Sequence, residues 1–346
     1  MRLVFLEGDM SRSGGTERMT AMLANALSEK HVVSILNLHG DGNSFFPLES
    51  SVKCLPLPKK HPRKAIRSFL QKNRVDFVIN VDTGMAIFGI PACMGIKTKV
   101  ITWEHSNFYN NWGSKWFPYI RRLAAWLSDA VVVLTERDKQ NYEGNVVRCC
   151  QVITIGNPVE SHKVNYSIES KTILSAGHLS PIKRFDLIPE IGRIVFERHP
   201  DWQWNICGEG PERTLLESKI SQYGLEQNII LLGSVKDIEK IYRSASMYVM
   251  TSEMEGLPMV LLEAKSHGLP IVSFDIMTGP SEIVRNGVNG YLVESGDITA
   301  MADRICELVE QPLLRKRFSD ATVLDMNKFD KGEIINRWEN LLNRLS

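Results

Sequence analysis

The sequence predicts an α/β protein made of two domains, each with a doubly wound parallel sheet. Short apolar runs of strand length alternate with segments of helical period along the whole chain, which is the pattern of repeated β-α-β units. Each half of the chain supplies about six of these runs, enough for one sheet per half. The length of 346 residues also suits two domains of ordinary size.

The strand candidates follow the apolar runs in order. In the first half they lie at 3–6, 32–38, 77–81, 100–103, 131–134 and 152–155, and in the second half at 172–176, 204–207, 229–232, 247–250, 271–274 and 291–293. The break falls near Gly156, Asn157 and Pro158, which a polar stretch at 161–171 follows. We therefore expect an N-terminal domain at 1–158, a C-terminal domain at 159–328 and a terminal helix at 329–346.

The composition argues against several classes of protein. A net charge of +1 gives no overall basic signal for nucleic acid. The six cysteines show no C-x-x-C spacing, and Cys149 and Cys150 are adjacent, which is poor geometry for a disulfide. A reduced, cytoplasmic protein is the simplest interpretation. No apolar run approaches the ~20 residues of a membrane span, so membrane contact is expected to be peripheral.

Residues 252–275 form the most informative stretch of the chain. Glu255 and Glu263 stand eight positions apart, and the apolar run between them follows Pro258. Proline suits the first turn of a helix, because its missing N–H would have no partner there, and the free amides of that turn bind anions such as phosphate. Glu255 is therefore predicted at the mouth of a phosphate site and Glu263 inside the helix. The alternative is an ordinary strand–loop–helix unit with solvated acids.

Two other loops follow predicted strands in the first half. Gly14, Gly15 and Thr16 precede a helix, where glycines let backbone amides approach a phosphate or sugar. The chain lacks the G-x-G-x-x-G fingerprint at this place, which argues against a Rossmann oxidoreductase. His105 lies in a short polar string after the strand at 100–103, at the sheet edge where open α/β sheets bind ligands. Each loop is also compatible with a purely structural turn.

Five strings resemble, in their order along the chain, the signature of the retaining glycosyltransferases of family 4 (group 1), which have the GT-B fold. They are GGTER at 14–18, EHSN at 104–107, GHLSPIKRFD at 177–186, CGEGP at 207–211 and EGLPMVLLE at 255–263. The resemblance implies two Rossmann-like domains that face each other across a cleft, with a C-terminal helix that crosses back to the first domain. The similar enzymes assemble bacterial surface polysaccharides and lipid-linked glycans.

The resemblance implies transfer of a sugar from a nucleotide diphosphate donor with retention at the anomeric carbon. The preferred donor is a UDP-sugar that carries a hexose or N-acetylhexosamine. The expected acceptor is a glycan on a lipid diphosphate, in the synthesis of lipopolysaccharide O-antigen, capsule or exopolysaccharide at the cytoplasmic face of the inner membrane. Two alternatives stay open: a sugar-nucleotide epimerase or hydrolase of the same fold, and a non-catalytic nucleotide-sugar-binding protein of an assembly complex.

The resemblance also implies roles for individual residues. Glu255 binds a donor-sugar hydroxyl and stabilises the cationic carbon, Lys183 balances the charge of the leaving diphosphate, and His105 contacts the donor sugar. Glu263 accepts hydrogen bonds from the ribose. The other donor-binding positions that it implies are Gly14, Gly15, Thr16, Glu209, Val235, Gly256, Leu257 and Pro258.

The phosphate-binding string departs from the family pattern at two positions. His178 stands where the family has a phosphate-clamping Arg, and Arg184 stands where it has a Gly. A neutral His donates one hydrogen bond where an Arg offers a charged fork. Either the bound diphosphate protonates His178, or Arg184 supplies the second charge. The chain contains no D-x-D string for a metal-bridged diphosphate, so neither a metal nor a cofactor is expected.

Two segments are candidates for a membrane or acceptor surface. Residues 59–74 hold seven Lys and Arg residues and no acid, with the apolar spacing of an amphipathic helix, which suits an anionic membrane surface. Residues 111–127 mix aromatic side chains with cations, which suits an interface or a lipid-diphosphate acceptor. The aromatic residues are Trp112, Trp116, Phe117, Tyr119 and Trp126, and the cations are Lys115, Arg121 and Arg122. The alternatives are solvated charges on packed helices, with the aromatic side chains in the core.

Overall fold

A computed structural model of the chain describes residues 1–146, 150–160, 162 and 166–346. Cys149 lies outside the described residues, and so does part of the polar stretch at 161–171. The chain forms two compact units. The first comprises Met1–Asn157 with Lys331–Ser346, and the second comprises Pro158–Asp330.

The first unit is built on a parallel sheet in the order β3-β2-β1-β4-β5-β6-β7. Its strands are β1 (Arg2–Glu7), β2 (Val32–Asn37), β3 (Lys53–Pro56), β4 (Phe77–Val81), β5 (Lys99–Trp103), β6 (Ala130–Val133) and β7 (Gln151–Thr154). Its helices up to β7 are α1 (Gly15–Leu27), α2 (Pro62–Asn73), α3 (Thr83–Cys93), α4 (Phe117–Leu127) and α5 (Glu136–Asn145). The strand order reverses between β1 and β4, which makes this the point where a doubly wound sheet opens a crevice for ligands.

The direction of the crossovers decides which face of the sheet each helix covers. Crossovers between parallel strands are right-handed, so α1 covers one face, and α2, α3 and α4 cover the other. Side chains such as Val4, Val78, Ile66, Ile90 and Ala124 form the core beneath the second group of helices. Strand β3 is an addition to the predicted set. It has four residues, none of them fully buried, and lies at the sheet edge, so it lacks the apolar run by which the other strands are predicted.

The second unit repeats the architecture with a parallel sheet in the order β10-β9-β8-β11-β12-β13. Its strands are β8 (Thr172–Ala176), β9 (Gln203–Cys207), β10 (Ile229–Gly233), β11 (Met247–Met250), β12 (Ile271–Asp275) and β13 (Gly290–Glu294). Its helices are α6 (Ile188–Arg198), α7 (Arg213–Gln222), α8 (Ile238–Ser244), α9 (Met259–Ser266), α10 (Pro280–Ile283), α11 (Ile298–Glu310) and α12 (Pro312–Asp320). Here the order reverses between β8 and β11.

The terminal helix α13 (Lys331–Leu345) packs beside α1 in the first unit. Its Trp338 makes an edge-on contact with Trp103, with ring centroids 5.2 Å apart. Its Arg337 donates a hydrogen bond to the carbonyl of Thr154 at 2.6 Å. In the part of the chain that the structure describes, no helix has both the length and the apolar character of a membrane span.

Candidate active site

The two residues at the centre of the predicted site meet at the switch point of the second sheet. Lys183 follows β8 and Glu255 follows β11, the two strands between which the order reverses. Lys183 Nζ lies 2.6 Å from Glu255 Oε1, and the two side chains are 26% and 12% exposed. Thr251 Oγ1 donates to the carbonyl of Lys183 at 3.0 Å, which fixes one loop against the other. The contact is thus a half-buried ion pair open to solvent.

The helix that carries Glu263 begins one residue later than predicted. Helix α9 starts at Met259, and Pro258 is the residue that caps it, with φ −71° and ψ 106°, so the placement of Pro258 in the first turn was wrong. The carbonyl of Pro258 accepts the first hydrogen bond, from Leu261 N at 3.1 Å, so the proline ring lies outside the helix. The amides of Met259 and Val260, which precede the first helical hydrogen bond, still lie close in the chain to Gly256 and Leu257.

A tyrosine that sequence reasoning missed positions Glu263. The hydroxyl of Tyr242, in α8, donates to Glu263 Oε2 at 3.0 Å. Burial raises the pKa of Tyr242 well above its usual value, so the hydroxyl keeps its proton and acts as a donor. Sequence reasoning missed this residue because Tyr242 looks like one of the apolar positions of an amphipathic helix, and its partner Glu263 lies 21 residues further along the chain. The contact orients a half-buried carboxylate near the middle of α9.

The glycine-rich loops after β8, β9 and β10 pack directly on one another. Gly177 N donates to Cys207 O at 2.9 Å, and Gly208 N donates to Gly233 O at 2.8 Å. A Cβ on Gly208 would lie 1.8 Å from the carbonyl oxygen of Gly177, and its φ is +147°, so only glycine fits. Glu209 follows in this turn and holds Arg213 Nη1 at 2.6 Å. Val235 is half-buried after β10.

The two residues that depart from the family pattern have different surroundings. Arg184 has φ +51°, a left-handed conformation, which explains why glycine suits this position. Its guanidinium contacts two acids, Asp186 at 3.0 Å and Glu253 at 3.7 Å. His178 is exposed. Arg184 therefore shares its charge with neighbouring carboxylates, whereas the ring of His178 lies open to solvent.

In the first unit, Gly14 caps α1 and Gly15 is its first residue. The carboxylate of Glu17 folds back over this end of the helix, because a Cβ on Gly14 would lie 2.2 Å from Glu17 Oε2. Space around Gly15 is open, and Thr16 is half-buried. Deeper in the same loop, burial raises the pKa of Glu7 to about 7, although Gly8 and Thr20 donate hydrogen bonds to its carboxylate.

His105 is held as a neutral ring after β5. Its imidazole lies against the indole of Trp103, with ring centroids 4.2 Å apart. Burial lowers its pKa to about 4, an effect that outweighs the opposing charge of Glu104. Its Nε2 is buried and has no hydrogen-bond partner among the described residues. The ring therefore offers an unpartnered nitrogen, the feature expected of a group that contacts substrate.

Glu104 and Arg121 form a buried ion pair beneath this loop. Arg121 Nε lies 3.3 Å from Glu104 Oε2, and both side chains are almost fully buried. Thr83 and Tyr142 donate further hydrogen bonds to the same carboxylate. Although burial works against its charge, Arg121 and these donors hold the pKa of Glu104 below its usual value.

The segment at 111–127 does not follow the alternative in which its aromatic side chains lie in the core and its charges in solvent. The cation Arg121 is inside, and Asn107 is buried with it, whereas Trp112, Trp116 and Tyr119 are exposed. Arg121 also donates to the carbonyls of Phe108 and Asn110, both at 2.5 Å, so it ties α4 to the loop that carries His105. The inclusion of Arg121 among the surface cations was therefore wrong, because Glu104 draws it into the core.

The structure also contains a group of potential metal ligands. His162, Glu239 and His267 each place one ligand atom within 4.8 Å of the others, and this is the one such group among the described residues. His267 Nδ1 lies 2.9 Å from the carbonyl oxygen of Glu263. No spacing pattern of metal ligands indicates this group, because its members come from three separate segments of the chain.

Each sheet thus carries candidate ligand-binding residues at the carboxyl ends of its strands. Those of the second unit are joined by the Lys183–Glu255 contact, while His105, Gly14 and Gly15 follow strands of the first unit. Two Rossmann-like parallel sheets with these residues define the protein as a glycosyltransferase of the GT-B type.

The family follows from matches that together run along most of the chain. The profile described as "Glycosyltransferase Family 4" matches residues 13–163, and the one described as "Glycosyl transferases group 1" matches residues 159–323. The chain belongs to this family of glycosyltransferases. It is 30% identical to an uncharacterized glycosyltransferase of Haemophilus influenzae, over 99% of both chains.

Two further relatives carry functional names. The amylovoran biosynthesis glycosyltransferase AmsD of Erwinia amylovora is 28% identical over 99% of both chains. A Campylobacter jejuni protein is 27% identical over 99% of this chain and 98% of its own length. It is named an α-1,4-N-acetyl-D-galactosaminyltransferase of GalNAc-α-(1->4)-GalNAc-α-(1->3)-diNAcBac-PP-undecaprenol.

Solved structures support the same fold. Staphylococcus aureus TarM, in a mutant complex with fondaparinux, α-GlcNAc-glycerol and UDP, matches 82% of this chain with a TM-score of 0.72 and 26% identity. This chain spans 59% of the TarM chain. Anabaena Alr3699/HepE in complex with UDP matches 99% of this chain and all of its own, with a TM-score of 0.83 and 17% identity, which bears on the fold alone.

Proposed function

We propose that the protein is a retaining glycosyltransferase that moves a hexose or N-acetylhexosamine from a UDP-sugar to a glycan on a lipid diphosphate. The pathway is the synthesis of a bacterial surface polysaccharide, such as an O-antigen, a capsule or an exopolysaccharide. One observation carries the proposal: in a chain of this family, Lys183 and Glu255 meet at 2.6 Å at the switch point of the second sheet. This is where open α/β sheets bind ligands.

The relatives support the choice of donor and acceptor. The TarM structure contains UDP, which supports a uridine nucleotide as the donor carrier. The names of the Erwinia and Campylobacter relatives refer to a polysaccharide and to an undecaprenol diphosphate glycan. A lipid-linked acceptor in turn favours peripheral contact with the membrane, which is part of the proposal.

The chemistry of the site follows from its charges. Sugar transfer requires a counter-charge for the leaving diphosphate and a partner for the sugar carbon as it becomes cationic. Lys183 supplies a point charge for the diphosphate, with His178 or Arg184 as the second donor. Glu255 binds a hydroxyl of the donor sugar and stabilises the cationic carbon. Without donor the two side chains neutralise each other, so neither is left half-buried without a partner.

The remaining donor contacts follow from local geometry. Glu263, oriented by Tyr242, accepts hydrogen bonds from the ribose hydroxyls. Amides of Gly256, Leu257 and the first turn of α9 bind phosphate oxygens, and Glu209 and Val235 belong to the nucleotide-binding loops. In the first unit, Gly14, Gly15, Thr16 and His105 complete the proposed set. The acceptor hydroxyl attacks the anomeric carbon on the face from which the diphosphate leaves, and the leaving phosphate oxygen takes the hydroxyl proton. The anomeric configuration is therefore retained.

The experiment combines a donor screen with a product analysis. UDP- and GDP-sugars are screened by thermal shift, and the donors that bind are incubated with a lipid-diphosphate glycan acceptor. We expect a UDP-sugar to stabilise the protein and to yield one product with an α-glycosidic bond by NMR. Turnover of donor at full rate without acceptor would instead indicate an epimerase or hydrolase. Binding of UDP with no transfer to any acceptor would indicate a binding protein.

A further inference from the structure

Helix α4 presents its apolar face to solvent rather than to the core. Trp116, Tyr119, Leu123, Trp126 and Leu127 recur at helical spacing on one side, and they are between 44% and 74% exposed. A helix on the surface of a globular protein normally turns this stripe inward. Large exposed apolar patches with polar rims mark interaction sites.

The buried side of α4 explains why the helix keeps this orientation. Arg121 extends from that side to Glu104 and to the carbonyls of Phe108 and Asn110. Ala124 and Ala125 are the other buried residues of the helix, and both are small. The fully buried side of α4 thus consists of one polar anchor and two alanines, while most of its large apolar side chains are exposed. The apolar face is therefore built into the fold.

A groove runs along the inner edge of this stripe. It lies between α3 and α4, has a volume of about 360 Å³, and is lined almost wholly by apolar side chains. Ile87, Ile90 and Met94 form one wall, and Ile120 and Leu123 form the other. Arg63 of α2 is the one charged residue of its lining. The groove has the shape and chemistry to hold part of a hydrocarbon chain.

Cations cluster around the start of α2, the helix whose Arg63 lines the groove. Lys59, Lys60, Arg63 and Lys64 are exposed, and none forms an ion pair within the described part of the chain. Arg67 has a different role, because it donates to the carbonyls of Ala92 and Met94 at 3.1 and 2.6 Å and ties α2 to the end of α3. The aromatic stripe, the groove and the cations therefore share one face of the first unit, which we call the docking face.

We propose that the docking face binds an anionic lipid bilayer, with α4 lying in the interfacial layer and the groove holding a lipid hydrocarbon chain. Tryptophan and tyrosine favour the membrane–water interface, and clustered Lys and Arg residues are attracted to anionic headgroups. A second copy of the chain is the less favourable occupant, because a twofold contact through this face would bring two sets of like charges together. The inference rests on the proposed lipid-linked acceptor for its biological purpose.

The test measures vesicle binding in the absence of any sugar donor. The full chain is mixed with vesicles of phosphatidylcholine alone or of phosphatidylcholine with phosphatidylglycerol, and the bound fraction is measured by flotation. We expect binding to the anionic vesicles, a loss of at least tenfold in the double variant Trp116→Ser with Trp126→Ser, and a similar loss in Lys59→Glu with Lys60→Glu. These side chains are exposed, so thermal unfolding should stay close to wild type.

Matched controls place the same changes elsewhere on the surface. Phe45→Ser with Leu313→Ser removes two exposed apolar residues, and Lys30→Glu with Lys331→Glu reverses two exposed charges near α1 and α13. Both controls should bind vesicles like the wild type. Undiminished binding by the Trp116/Trp126 variant would overturn the proposal. So would a dimer in solution that this variant dissociates, because a second copy would then occupy the face.

Failure of this inference can be told apart from failure of the proposed function. Transfer to a short-chain, water-soluble acceptor should be unchanged in the Lys59/Lys60 variant, because these two exposed lysines are not among the residues proposed to bind the donor or the acceptor. Loss of vesicle binding with normal transfer to the soluble acceptor supports both proposals. Vesicle binding without transfer to any acceptor would support the docking face and contradict the transferase reaction.

Discussion

Lys183 and Glu255 are 72 residues apart in the sequence, yet their side chains meet at 2.6 Å. The loops that carry them follow β8 and β11. The backbone N–H of Glu253 donates to the carbonyl of Ile182 at 2.9 Å, so a hydrogen bond between the two loops holds the side chains near each other. In the proposed reaction, these two opposite charges exchange partners when the diphosphate and the sugar of the donor enter the site.

The first prediction separates the roles of these two residues. Glu255→Gln should lower kcat about 100-fold with little change in donor affinity, because an electrostatic contact in the transition state is worth about 3 kcal/mol. Lys183→Ala should weaken donor binding by about tenfold or more. Lys171→Ala, which breaks the exposed ion pair with Asp201, is the control and should change neither value. Steady-state kinetics and calorimetric titration with donor measure both. Unchanged kcat in Glu255→Gln would remove this site assignment.

The second prediction concerns the tyrosine behind Glu263. Tyr242→Phe removes the hydroxyl that donates to Glu263 Oε2, so the carboxylate loses its fixed orientation. A hydrogen bond to a carboxylate is worth about 1.5–3 kcal/mol, and we expect UDP affinity to fall by about tenfold in calorimetry. Tyr166→Phe, which removes a hydroxyl bonded to the carbonyl of Ser246 in the same unit, is the control. Equal effects of the two substitutions would argue against a positioning role.

The third prediction tests the buried ion pair in the first unit. Arg121→Met leaves Glu104 in the core without its cation, and breaking a buried pair from one side costs about 3–5 kcal/mol. Urea unfolding should show this loss in the free energy of unfolding. Arg122→Met changes the exposed neighbour and should cost well under 1 kcal/mol. A small effect of Arg121→Met would mean that the pair does not determine the orientation of α4.

The fourth prediction concerns pH. Burial and the charge of Glu104 raise the pKa of Asp82 from 3.8 to about 8. Below pH 3.8 the carboxyl is protonated in both the folded and the unfolded state, and as the pH rises toward 8 only the unfolded state ionises. The free energy of unfolding therefore falls over this range, by at most about 1.4 kcal/mol per pH unit from this group. Asn tolerates the positive φ of this position, 70°.

Asp82→Asn should accordingly be more stable than wild type at pH 8 and similar to it near pH 4. Chemical denaturation at the two pH values gives the difference directly. Asp41→Asn, in an exposed loop of the same unit, controls for the loss of a carboxylate. A stabilisation of Asp82→Asn that is the same at both pH values would show that ionisation of Asp82 is not the cause.

The fifth prediction is that catalysis needs no metal. Lys183 and the amides before α9 provide the positive charge that a divalent cation supplies in other sites, so transfer should proceed at the same rate in excess EDTA. Inactivation by EDTA that Mg²⁺ or Mn²⁺ reverses would contradict this. In that case alanine substitution of His267 would test whether the group with His162 and Glu239 holds the ion.

Local features of the chain were predictable because their causes are local. The strands at 77–81, 172–176 and 247–250 have the bounds that the apolar runs indicate, since alternation between apolar runs and turn residues acts over a few positions. The spacing that places Glu255 before α9 and Glu263 within it is equally local. Strand β3 was not predicted, because its four residues lie at the sheet edge, partly or fully exposed, and therefore form no apolar run.

The α/β class, the two sheets and the strings that follow the strand ends could all be predicted from the residues alone. Which of those residues meet depends on how the strands are ordered in the folded chain. The contact between Lys183 and Glu255 depends on β8 and β11 becoming neighbours. The outward face of α4 depends on Glu104 drawing Arg121 inward across 17 residues. Periodicity defines two faces of a helix, but long-range electrostatics and burial select the one that packs inside.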